Sequence, residues 1–124
     1  MLSSAINSYK DLLVWKASVE MAVDCYSATK ALPRSETYGM ISQIRRSAAS
    51  IAANIAEGHG RENTGSFVQF LRMAQGSLKE LETHLVICER VGLMHELETK
   101  KLLGQADEIG RMMRSMIRSL QQKP

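Results

Sequence analysis

Four stretches of the chain carry apolar residues at alternating steps of three and four, the spacing that gathers side chains on one face of a 3.6-residue helical turn. In the first, Leu12, Trp15, Val19, Ala22 and Tyr26 share such a face. Asp11 in front as an N-cap and Ala31-Leu32-Pro33 behind as a stop predict a helix over 11–31. The second stripe is Ile41, Ile44, Ala48, Ile51 and Ile55; Ser35 with Glu36 offers a cap and Gly58-His59-Gly60 an end, which predicts 36–58. The third is the longest series, Phe67, Leu71, Ala74, Leu78, Leu81, Leu85 and Cys88, closed by Gly92 and predicting 64–91. The fourth, Leu102, Ala106, Ile109, Met113, Met116 and Leu120, predicts 95–121, although Gly104 and Gly110 each cost about 1 kcal/mol of helix propensity relative to alanine.

The connections between these stretches are only a few residues long, and short helix-to-helix loops make successive helices antiparallel. The expected fold is therefore an all-α, up-down-up-down antiparallel four-helix bundle. At 1.5 Å per residue, helices of this size run about 30 to 38 Å and can pack along their whole length. The 124 residues form one domain, with no internal repeat and no linker.

Composition supports the helices and excludes alternatives. Hydrophobic residues make up 44% and charged residues 23%, an ordinary globular balance that rules out disordered and collagen-like chains. Two prolines leave few obligatory helix stops, and 5% aromatic residues argue against a sheet. No run approaches a membrane span and the N-terminus lacks the pattern of a signal peptide, so a cytoplasmic location without membrane association is expected. Cys25 and Cys88 lie apart among helix formers and read as buried reduced thiols.

No catalytic constellation, cofactor motif or metal site emerges, and the reading is of a protein that is not an enzyme. His59, His84 and His95 lack ligand spacing, and neither cysteine has a near companion. Gly58-His59-Gly60-Arg61 follows a helix and lacks a phosphate-loop pattern, so it reads as a cap and turn.

The second helix carries a further stripe, Gln43, Arg46, Ser50, Asn54 and Glu57, polar but built of short or fork-shaped groups. Small residues surround it, and the helix contains no lysine, the usual solvated filler. Ser77 and Glu80 on the third helix match it, with Arg46 placed to meet Glu80 through a charge-assisted hydrogen bond. A buried or interfacial network is expected here, with an ordinary solvated face as the alternative.

The run from Gln43 to Gly58, Phe67 to Leu71, and Ala74 to Leu81, together with Asp11-Leu12, Trp15 and Pro33 through Tyr38, resembles the four-helix bundle family first noticed as reading frames within intervening sequences of bacterial large-subunit ribosomal RNA. The resemblance spans Tyr9 to Leu120. It implies a bacterial protein that assembles as a homopentamer, and marks Gln43, Arg46, Ser50, Asn54, Glu57, Ser77 and Glu80 as structural or interface residues. It also implies a relation to accessory proteins of diversity-generating retroelements, which work with a reverse transcriptase and bind nucleic acid.

Charge gives that implication a location. The formal net charge is +3, and after Glu108 no acid remains while Arg111, Arg114 and Arg118 share one face of the fourth helix. Repeated around a ring, this stripe can contact several phosphates of RNA or DNA at once. Arg45 is a further candidate, expected to point outward where Arg46 points in. Two functions stand: an oligomeric nucleic-acid-binding accessory factor acting through a basic surface, or a structural scaffold that recruits a protein partner such as a reverse transcriptase without binding nucleic acid.

Overall fold

The computed structural model describes residues 7–122. Four α-helices account for most of them: α1 (Leu13–Thr29), α2 (Met40–Gly60), α3 (Thr64–Arg90) and α4 (Glu96–Gln121), with no strand among the described residues. Each helix packs against the two next to it, α1 on α2, α2 on α3, α3 on α4 and α4 on α1, around one shared core. This is the expected antiparallel four-helix bundle, and its most extensive contact is between α2 and α3.

Helix α3 starts at Thr64 as the pattern places it, whereas α1 and α2 start two and four residues later than expected and α4 one residue later. Asp11 does not cap α1: it closes a short 3-10 turn, Tyr9–Asp11, in which the Ser8 hydroxyl accepts from the Lys10 amide and the Asp11 carboxylate accepts from the Asn7 and Ser8 amides. The Asn7 bond first, then the Ser8 bond, lower the Asp11 pKa below its ordinary value. Ser35 likewise does not cap α2. Arg34–Glu36 forms another 3-10 turn, and Glu36 Oε1 reaches forward to accept from the Met40 amide at 3.0 Å. The carboxylate thus satisfies one of the orphan donors at the start of α2.

The α1 core face is corrected by one residue. Instead of Trp15, Val19, Ala22 and Tyr26, the buried positions are Val14, Ser18, Met21 and Cys25, with Thr29 below them. One residue is a 100° rotation. Two hydroxyls can sit in this core because each is satisfied within its own helix: Ser18 Oγ donates to the Val14 carbonyl at 2.7 Å and Thr29 Oγ1 to the Cys25 carbonyl at 2.8 Å. Trp15 is left half-buried with its edge against Tyr9, ring centroids 5.2 Å apart, while Tyr26 is exposed. In α4 the core continues from Met113 to Ile117, so that Met116 and Leu120 drift out of the seam.

Gly58 has a different task from the cap expected of it. Helix α2 continues through Gly60, and Gly58 is buried where α3 crosses; a Cβ there would stand 2.6 Å from Phe70 Cβ and 3.1 Å from a Phe67 ring carbon. The turn that follows takes its left-handed residue from Glu62, φ 56°. Gly92, φ 81°, does end α3 as expected.

Two outcomes follow from this packing. Gly58→Ala overpacks the α2–α3 crossing and is expected to cost about 1 to 3 kcal/mol in denaturant unfolding, whereas Gly104→Ala, with nothing within 4 Å of the added carbon, is expected to stabilise α4 by up to about 1 kcal/mol. Burial, and then the charges of Asp24 and Glu98, push the Cys25 thiol up from 9.0 to about 12. The native state therefore holds this proton more tightly than the unfolded chain. Its stabilising contribution is complete below pH 9 and is lost as pH rises toward 12, a decline that unfolding across alkaline pH will show and Cys25→Ser will reduce.

Candidate functional site

The polar residues singled out on α2 and α3 lie along the outer side of the α2–α3 joint. At its centre Ser50 Oγ and Ser77 Oγ are hydrogen-bonded at 2.9 Å, and Asn54 Nδ2 donates to Ser50 Oγ at 3.1 Å and to the Ser50 carbonyl at 2.9 Å. All three side chains are half-buried, so this is a small polar lock between two closely packed helices. The charged members sit apart from it. Arg46 is exposed and donates to Gln43 Oε1 on its own helix; Glu57 is exposed and pairs with Arg61 at 3.0 Å; Glu80 pairs with His84 at 3.3 Å. The expected bond between Arg46 and Glu80 is not made, because each finds a partner one turn away.

The two adjacent arginines are oriented in reverse of the expectation. Arg45, not Arg46, folds into the protein. Its Nε donates to Thr29 Oγ1 at 2.9 Å, its terminal nitrogen donates to the Tyr26 carbonyl at 3.3 Å, and the guanidinium lies 4.6 Å from the centre of the Tyr26 ring. Both oxygens belong to the last turn of α1, where carbonyls lack helical partners and the helix dipole favours a cation. Arg45 thus ties α1 to α2, and its guanidinium is committed to that task.

Along α4 the three arginines differ. Arg111 is held by Asp107 and Glu108 on its own helix, and these bonds, Glu108 first, raise its pKa above the ordinary value. Two carboxylates thus offset its charge. Arg114 and Arg118 are exposed and make no ion pair among the described residues. The Arg114 guanidinium lies over Gly110, at the edge of a hollow of about 340 Å³ between α3 and α4 that Lys79, Glu82 and Asp107 also line.

Tyr38 is the residue that sequence reasoning passed over. It stands on the α1–α2 turn with 95% of its surface in solvent. The available signal was an aromatic residue outside every apolar stripe, between Pro33 and Gly39. Among the described residues no three His, Cys, Asp or Glu side chains gather as a metal ion would need, and no helix is long and apolar enough to cross a membrane.

Loss of the Arg45 links is expected to be felt by the fold and loss of Arg46 is not. In urea unfolding, Arg45→Ala should cost about 1 to 2 kcal/mol through the lost hydrogen bonds and cation–π contact, while Arg46→Ala stays within about 0.5 kcal/mol.

Residues 10–115 match the family model described as 23S rRNA-intervening sequence protein. Among solved structures, the chain is similar to a protein of unknown function from the S23 ribosomal protein family of Bacteroides thetaiotaomicron, at 26% identity over 85% of this chain and 98% of that one, with a TM-score of 0.76. No curated protein matches the chain. Neither description names a catalytic activity.

Proposed function

This chain belongs to the 23S rRNA-intervening sequence protein family, and from that premise we propose that it is a non-enzymatic, oligomeric helical bundle that binds nucleic acid through a basic surface. The observation that carries the reading is the free pair Arg114 and Arg118 on the last third of α4, beyond the last acidic residue of the chain. Both side chains are exposed and make no ion pair among the described residues, with Asp107 engaged by Arg111 and Glu82 by Lys79. Phosphates would pair with them, with affinity that falls as salt rises. Arg111 contributes less than its position in the stripe suggests, since Asp107 and Glu108 already hold it.

Assembly strengthens such a surface by repeating it. The half-exposed apolar side of α1 (Trp15, Val19, Val23 and Tyr26), beside the exposed Ala49 and Ala53 of α2, supports association of copies through close helix packing. The Ser50–Ser77–Asn54 lock and its flanking charges, Arg46, Glu57 and Glu80, border the same outer side of α2. The homopentamer is the assembly we propose, and a reverse transcriptase remains the class of protein partner that the resemblance suggests. A scaffold without nucleic-acid binding has one observation in its favour, an apolar hollow of about 750 Å³ at the open end of the bundle, floored by Leu12, Phe67, Met112, Met116 and Leu120, where another protein's side chains could dock.

Two measurements test this reading. Light scattering should give about 69 kDa, five copies of a 13.8 kDa chain, and a monomer at micromolar concentration removes the assembly. Binding to a mixed-sequence RNA and to a DNA duplex should weaken with salt, and Arg114→Ala/Arg118→Ala should flatten that dependence by up to two phosphate contacts per subunit, nearly as much as the triple variant that includes Arg111. Absence of wild-type binding at about 50 mM salt, where phosphate contacts are strong, transfers the assignment to the scaffold.

A further inference from the structure

The arginines of α4 lie near one end of the bundle; the other end carries a second cationic surface of different character. Where α1 hands over to α2, Lys30 and Arg34 are exposed, and Tyr38 projects almost wholly into solvent from the turn between them and α2. Arg114 and Arg118 lie 18 and 22 residues beyond the start of α4, which begins at this end, so they are roughly 27 to 33 Å away along the helix.

The turn that presents Tyr38 is fixed. The Glu36 amide donates to the Pro33 carbonyl at 2.9 Å, the Thr37 hydroxyl to the Arg34 carbonyl at 2.7 Å, and the Gly39 amide to the Glu36 carbonyl at 3.0 Å. Glu36, the acid of this turn, is half-buried, and one of its carboxylate oxygens accepts from the Met40 amide, while Glu89, Glu96 and Glu98 lie at the same end of the bundle on the end of α3 and the start of α4. Gly39 leaves room for that reach, since a Cβ there would lie 2.6 Å from Glu36 Oε1. Asp24, the next acid along α1, is turned toward α4 and accepts from Gln105 at 2.8 Å. The corner therefore shows solvent two cations and an aromatic ring on a hydrogen-bonded support. Beside it, Arg45 braces the Tyr26 ring along a hollow of about 530 Å³ that Val19, Ala22, Lys30 and Ala52 also line.

An aromatic ring fully in solvent gains nothing for the fold, and a ring carried on a hydrogen-bonded turn has only its own side-chain rotation to lose when something stacks on it. Exposed rings flanked by cations are what single-stranded nucleic acid needs: the bases stack and the phosphates meet the charges, whereas a duplex keeps its base faces inside the helix. We propose that the α1–α2 corner is a binding site for single-stranded nucleic acid, in which Tyr38 stacks on a base and Lys30 and Arg34 hold the flanking phosphates. This rests on the nucleic-acid reading given above and adds to it a strand class and a second contact region.

The test is fluorescence anisotropy with a labelled single-stranded RNA of about a dozen nucleotides and with the duplex of the same sequence, using the full chain at matched oligomeric state. Tyr38→Ala should weaken single-strand binding about tenfold and leave duplex binding unchanged, while Tyr38→Phe, which keeps the ring, should bind as wild type does. Lys30→Ala/Arg34→Ala should flatten the salt dependence of single-strand binding. Equal single-strand affinity of Tyr38→Ala and wild type overturns this proposal; if Arg114→Ala/Arg118→Ala abolishes binding at the same time, the broader reading stands without it. A Tyr38→Ala chain that loses its oligomeric state by light scattering assigns the ring to a contact between proteins and also overturns the proposal. Absence of wild-type binding to either probe at about 50 mM salt removes both readings.

Discussion

The close crossing of α2 and α3 at Gly58 is the constraint on which the bundle depends. Because this position has no side chain, Phe67 and Phe70 can lie directly against the α2 backbone, and the two helices stay near enough for Ser50 and Ser77 to bond further along. The small residues Ser47, Ala48 and Ala52 continue the approach beneath the large apolar side chains Ile44, Ile51 and Ile55. Close packing of this kind rewards shape, since each added methylene forces a neighbour to move. The seam is apolar inside and hydrogen-bonded along its rim, which gives the pair one register.

The outer helices complete the core with less demanding geometry. Helix α1 buries Ser18 and Thr29, which their own carbonyls satisfy, and joins α2 through Arg45 and α4 through the bond between Gln105 and Asp24. That choice of face leaves Trp15, Val19 and Tyr26 along the side. Apolar surface that the bundle does not cover is thus a direct result of covering two hydroxyls. It adjoins the alanine-rich outer side of α2, and the two together form a surface suited to another helix.

Charge in this protein is local rather than global. A formal +3 spread over 124 residues says little, but the helical partners of each cation decide which charges are available. Arg111, Arg61 and Lys79 have carboxylates one turn away, and Arg45 has a helix end. Among the described residues, Arg114 and Arg118 near one end and Lys30 and Arg34 beside Tyr38 near the other make no ion pair, as also holds for Lys10, Lys16, Arg46, Arg72, Arg90, Lys100 and Lys101. The two ends differ in how their rings are held: Phe67 lies half-buried in the apolar hollow beside Met116 and Leu120, whereas Tyr38 stands in solvent.

Periodicity determined that there are four helices and which faces of α2 and α3 are buried, and the short connections that they run antiparallel, because Ile44 to Ile55 and Leu71 to Cys88 keep an apolar side chain at every core step. It also marked Ser50, Asn54 and Ser77 as belonging together, since short polar groups among alanines have little reason to occupy an ordinary solvated face. Tertiary structure decided the remainder. Only packing could rotate α1 by one residue, because a hydropathy pattern treats Ser18 and Thr29 as polar and cannot register that their own helix accepts their protons. Only packing could turn Gly58 from a helix end into a crossing point, and send Arg45 inward and Arg46 outward, since a glycine and two neighbouring arginines look the same in sequence whatever lies opposite them. Side-chain size and period are written along the chain; which hydrogen bond a polar group finds depends on the neighbour that folding brings to it.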